Sequence, residues 1–159
     1  MFTRRRVPNN SDVSIAIGVD NSGSMSGEKI QIARQVGIAL CEAFYQLDIP
    51  VYLLGYDAGS VDADQKHFVK WNNTKAERMS ILTMYAGGCN NDAYTIRYLT
   101  ERLKKRTEEH KLLIMISDGM PSHTVGTVDG VLDCRIAVKK AEKSCDVVAI
   151  GIGDCSPEN

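Results

Sequence analysis

Four short runs of apolar residues recur along the chain: VSIAIGV at 13–19, VYLLGYD at 51–57, LLIMIS at 112–117 and VVAIGI at 147–152. VSIAIGV is too continuous to be half-exposed and reads as a central strand buried on both faces, the habit of parallel sheets. LLIMIS is a second fully apolar strand, and VYLLGYD and VVAIGI read as further strands. Amphipathic patterns separate them. Ile30, Ala33, Val36, Leu40, Ala43, Phe44 and Leu47 repeat at three and four, as on the inner stripe of a helix. Pro50 ends that helix and opens the second strand. HFVKW at 67–71 predicts a third strand, antiparallel and at a sheet edge. Thr74 is placed to cap a helix running to about Tyr85, and the Gly87-Gly88 pair stops it. Asn90 to about Glu108 predicts a further helix with Ile96, Leu99 and Leu103 inward, and Val131 to Lys143 another. Strands alternating with helices predict a doubly wound, mainly parallel α/β sheet with helices on both faces. In such sheets ligands bind beyond the carboxyl ends of the strands, where the winding reverses. Asp20 and Asp118 follow the first and fourth strands and fall at that edge.

The 159 residues fit one domain, read as 13–159 behind a lead-in of 1–12. A net charge of −1 argues against a nucleic-acid or anionic-membrane binder. The basic cluster Arg4-Arg5-Arg6 reads as a solvated tail. There is no apolar run long enough for a membrane helix and no signal-peptide core at the N-terminus. Five cysteines, Cys41, Cys89, Cys134, Cys145 and Cys155, are odd in number and form no C-x-x-C pair, which predicts free thiols, no zinc site and a reducing, cytoplasmic setting.

The loop Asp20-Asn21-Ser22-Gly23-Ser24 carries the chemistry. A carboxylate and two hydroxyls at alternate positions of a tight loop offer only hard oxygen donors. Such a set suits Mg²⁺, Mn²⁺ or Ca²⁺ rather than zinc or copper. The plainer reading is a solvated turn, with Ser24 or Ser26 capping the helix that follows.

Two further segments belong with that loop: Gly87-Gly88-Cys89-Asn90-Asn91-Asp92, which opens a helix, and Ser117-Asp118-Gly119, which closes a buried strand. Together the three resemble the von Willebrand factor A domain with its metal ion-dependent adhesion site, over about residues 11–153. The resemblance implies that Asp20, Ser22 and Ser24 are metal ligands, and that Asp118 reaches the metal through water. Where the family commonly has a threonine, this chain has Asn90, with Cys89 as the alternative. An amide oxygen is a competent hard ligand, whereas a thiol suits Mg²⁺ poorly. Asp92 is expected either behind the ligands or as the helix cap, the cap being preferred. Asn90-x-Asp92 and ISDGMPS (116–122) are similar to bacterial cobaltochelatase subunits and related proteins tied to AAA+ ATPases. The resemblance therefore implies a non-enzymatic module that binds a partner's Asp or Glu through the metal, within such an ATPase complex or as a scaffold without one.

The family usually continues through another helix, strand and helix. This sequence ends at Asn159, so either a trimmed domain or a fragment is expected, and a fragment would expose an apolar sheet edge open to self-association.

Other matches fail on spacing. Gly23-x-x-x-Gly27-Glu28-Lys29 is not a phosphate-binding loop, and neither Ser24 nor Ser26 is framed as a nucleophile elbow. A haloacid dehalogenase-type phosphatase would use Asp20 as nucleophile and Asp118 for Mg²⁺, but Ser22 stands where its general acid belongs. His67 and His110 read as surface residues, Trp71 and Tyr56 as packing, and Asp57 as a turn residue. His123 follows Asp118 in a loop near the metal face, where a place behind the metal ligands or against a partner is the alternative to a plain loop residue.

Overall fold

The computed structural model describes residues 12–58, 63–119 and 129–153, with only the backbone at 63–64. The chain runs β1 (Val13–Asp20), α1 (Glu28–Gln46), β2 (Val51–Ala58), β3 (Ala63–Val69), α2 (Lys75–Ser80), α3 (Asp92–Lys104), β4 (His110–Ser117), α4 (Gly130–Ala141) and β5 (Asp146–Gly151). The sheet order is β3-β2-β1-β4-β5. β1 lies parallel to both β2 and β4, β5 is parallel to β4, and β3 alone is antiparallel. This is the α/β doubly wound fold expected from the strand and helix runs.

The period of two along β1 explains why both faces are covered. Ile15, Ile17 and Val19 enter one core with Ile30, Ala33 and Cys41 of α1 and with Ile81 and Met84. Ala16, between them, faces a second core with Ile96, Leu99 and Leu103 of α3 and Ala137 and Ala141 of α4. α3 comes close to the sheet because Gly18 has no side chain. A Cβ there would lie 2.9 Å from the Met115 sulfur and 3.1 Å from Leu99 Cδ1. Since α1 and α3 approach β1 from opposite faces, the winding reverses between β1 and β4, and a crevice opens beyond their carboxyl ends.

Several expectations shift. β3 begins at Ala63 rather than 67 and ends before Lys70 and Trp71. Trp71 instead packs on Tyr52, ring centroids 5.2 Å apart, with the Arg106 guanidinium 5.0 Å from its own centroid. Thr74 does cap a helix, through a reciprocal capping box with Glu77. That helix stops at Ser80 and tightens into a 3₁₀ turn over Ile81–Thr83. α3 is shorter than expected at both ends. Asp57 is not a turn residue: it lies within β2 and accepts from Asn21 Nδ2 at 3.3 Å and Lys66 Nζ at 3.5 Å. The edge at β5 carries Val148, 46% exposed.

Leu99 is fully buried between α3 and the sheet. Leu99→Ala should therefore destabilise the domain by about 2–5 kcal/mol, read from the shift in urea midpoint at unchanged slope. A cost under about 1 kcal/mol would mean that α3 is not seated as described.

Candidate metal centre

The loop after β1 is built around Asp20, which has no exposed surface. Its Oδ1 accepts the Ser22 backbone N–H at 2.8 Å, and its Oδ2 accepts the Ser117 hydroxyl at 2.9 Å. Ser22 and Ser24 hydroxyls lie 3.1 Å apart, and Ser24 donates to Asp118 Oδ1 at 2.9 Å. A hydroxyl has one proton, so the Ser22–Ser24 bond must run from Ser22 to Ser24. A continuous chain of hydroxyls therefore joins the β1 loop to the end of β4. Lys29 closes the far side, its Nζ 2.6 Å from Asp118 Oδ2.

This arrangement removes the plain helix-cap reading. Ser24 lies in a 3₁₀ turn over Gly23–Met25, and the N-cap of α1 is Gly27, at φ 81°, with no side-chain cap bond. The hydroxyls are spent on one another and on Asp118.

Asn21, buried at 0% exposure, sews three loops together. Its N–H donates to the Tyr56 carbonyl at 2.9 Å, its carbonyl accepts from Gly87 at 2.8 Å, and its amide donates to the Tyr85 carbonyl at 3.1 Å. Gly23 N–H reaches the Gly88 carbonyl at 2.9 Å, and Ala58 and Cys89 exchange backbone bonds at 2.6 and 3.2 Å. Gly88 has φ +71°, and a Cβ there would sit 3.1 Å from the Ala58 carbonyl oxygen, so only glycine suits the position.

Ser22, Ser24, Cys89, Asn90 and Asp118 line an open cleft of about 350 Å³. Asp20 lies off its wall. Asn90 is 5% exposed, whereas Cys89 is exposed. The cap of α3 is Asn91, whose Oδ1 accepts from Tyr94 N–H at 3.1 Å, and not Asp92. Asp92 is 6% exposed, with Oδ1 taking the hydroxyl of fully buried Tyr56 and Oδ2 without a hydrogen-bond partner. Burial pushes its carboxyl up to about 6, against the Tyr56 hydrogen bond and with a further push from Asp20. His123 falls outside the described residues. The sequence reading passed over Asn21, Ser117 and Lys29. A signal for Lys29 existed: it occupies the first turn of α1, where the helix dipole disfavours a cation.

The donor set fits a hard divalent cation. Asp20, Ser22, Ser24, Asn90 and Asp118 offer oxygens, the Cys89 thiol being the one soft group among the described residues of the lining. Each carboxylate oxygen keeps a lone pair beyond the bond it accepts. Among the described residues no group of three or more His, Cys, Asp or Glu comes together to hold a metal, so a cation here would depend on the hydroxyls and on water.

Residues 14–159 match the von Willebrand factor type A domain, and the chain belongs to that family. It is a family of protein-interaction modules. The uncharacterized protein YojO of Bacillus subtilis (strain 168) is 28% identical over 153 residues, 90% of this chain but 24% of that protein. Among solved structures, the PilB minor pilin from Streptococcus sanguinis superposes with a TM-score of 0.69 at 16% identity, covering 88% of this chain and 50% of that one. A von Willebrand factor type A protein from Catenulispora acidiphila gives 0.66 at 16%, covering 89% and 33%. An aerotolerance-related membrane protein from Bacteroides fragilis NCTC 9343 gives 0.66 at 16%, covering 92% and 75%. At such identities these likenesses show the fold. The chain spans about a quarter of its curated relative and half of the pilin. No described helix is long and apolar enough to cross a membrane.

Asp92 predicts a pH dependence. Its folded-state pKa lies above the ordinary carboxyl value of about 3.9, so its contribution to stability is complete below that pH and is lost as pH rises through about 6. In EDTA, Asp92→Asn should remove a decline of up to about 3 kcal/mol between pH 4 and 7. Urea midpoints that track wild type at every pH would refute this.

Proposed function

We propose that this domain binds a protein partner through a divalent cation, Mg²⁺ with Mn²⁺ or Ca²⁺ as alternatives, held by Asp20, Ser22, Ser24, Asn90 and Asp118 as a metal ion-dependent adhesion site. The observation that carries the reading is the hydroxyl chain from Ser22 through Ser24 to Asp118, drawn across the switch point beside buried Asp20. A bound cation would supply a Lewis-acidic attachment point for a partner's Asp or Glu. Asp20 and Asp118 bring the negative charge, and Ser22, Ser24 and Asn90 bring neutral oxygens. Ser117 and the Ser22 N–H fix Asp20, while Ser24 and Lys29 fix Asp118. Asn21 sets the spacing of the three loops, and the open cleft leaves room for a partner side chain.

A phosphatase reading has less support. Ser22 stands two residues after Asp20, where such an enzyme needs its general acid. For the wider setting we favour a cytoplasmic AAA+ ATPase complex of the chelatase type, on the strength of Asn90-x-Asp92 and ISDGMPS. Co-purification of such an ATPase with the full-length protein tests it.

A thermal-shift titration with each cation tests the metal. Binding to the folded state alone raises stability by mass action, about 2.7 kcal/mol at a hundred times Kd. Wild type should shift upward and Asp20→Ala should not. Equal shifts in the two proteins would end the proposal.

A further inference from the structure

We propose that Lys29 is a tethered counter-cation of this site: it neutralises Asp118 while no metal is bound and lowers the affinity for one. The inference rests on reading the cleft as a cation centre and assigns a role to a residue outside the ligand set.

Asp118 has a side chain only 5% exposed, and a nearly buried carboxylate is stabilised by a counter-charge as well as by hydrogen bonds. Ser24 provides a hydrogen bond to Oδ1, and the Lys29 ammonium, 2.6 Å away, provides both bond and charge to Oδ2. Lys29 is not a surface lysine that happens to fall nearby. Its stem runs along Gly153, where a Cβ would lie 3.3 Å from Lys29 Cε, so the segment after β5 leaves space for it. Its place in the first turn of α1 is electrostatically adverse to a cation. The contact with Asp118 offsets that disadvantage.

A divalent cation entering the cleft meets this ammonium in one of two ways. If Lys29 stays, two cations share one carboxylate and repel. If Lys29 swings out, which its 40% exposed side chain permits, the ion pair is lost. Both routes weaken metal binding. When the lysine stays, the loaded site carries one unit of positive charge more than it would without it, which favours an acidic partner.

The experiment is a Mg²⁺ titration of the full chain by thermal shift, starting from chelator-treated protein, with wild type, Lys29→Met, Lys29→Gln and Lys29→Arg. Met keeps an unbranched stem without the charge, and Gln keeps a hydrogen bond without the charge, so one stands in if the other fails to fold. Both should melt lower than wild type without metal, and both should reach half their shift at about tenfold less Mg²⁺. Lys29→Arg should keep the wild-type midpoint. If Lys29 were only a structural prop, melting would fall equally at all Mg²⁺ concentrations with the midpoint unmoved, and the proposal would be wrong. A midpoint at higher Mg²⁺ in Met and Gln would also overturn it, because the lysine would then be organising Asp118 for the metal. Wild type shifting while Met and Gln keep its midpoint defeats Lys29 alone. The absence of any shift in all four proteins defeats the cation reading as well.

Discussion

A carboxylate with no exposed surface stands at the end of the central strand. Asp20 costs several kcal/mol to bury unless its oxygens are satisfied, and the surrounding architecture meets that need from two directions. The loop curls back so that the Ser22 N–H reaches Oδ1, and β4 ends beside β1 so that the Ser117 hydroxyl reaches Oδ2. The β1–β4 pairing is thus tied to the carboxylate: register Val19↔Ile116 brings Ser117 level with Asp20. Asp20 marks the point on which the crevice is built.

From there the polar groups form a connected system. The hydroxyl chain reaches Asp118, and Lys29 supplies that acid's counter-charge. Asn21 holds the ends of β2 and the loop before α3 against the same point. Buried polar networks of this kind are costly when half satisfied and rigid when satisfied. Here Asp20, with both oxygens hydrogen-bonded, lies behind the cleft beside Asn21, whose amide NH2 is engaged while its Oδ1 has no hydrogen-bond partner; the groups with spare lone pairs line the cleft. Partner-binding modules need such a division: a fixed base and a receptive surface.

Much of this was legible in the residues. The continuous apolar runs and the three-and-four spacing of Ile30 to Leu47 specified a doubly wound sheet because periodicity reports which faces are buried. The Asp20-x-Ser22-x-Ser24 loop, Asn90 and Asp118 stood out by residue type and were brought to one cleft or its floor. The short-range details were less legible. Asn91 rather than Asp92 caps α3, since the choice between adjacent polar residues depends on which of them the Tyr56 hydroxyl engages. β3 extends back to Ala63 because its pairing with β2 outweighs a run of polar residues with little strand preference. Asp57 is a strand residue because Asn21 and Lys66 both use its carboxylate.

By itself the sequence determined the order of the elements and which oxygen-bearing residues fall at the strand ends, since both follow from local pattern and residue type, but not that β5 would lie at an edge with its residues half-buried or exposed. Only the tertiary structure decided what each polar atom does. Ser24 could have capped a helix, Lys29 could have been a solvated lysine and Ser117 an ordinary strand end. Their roles depend on partners at separations of 94, 89 and 97 residues. Hydrogen bonds are directional and short-ranged, so contacts over such separations exist only once the sheet has set the strand ends side by side.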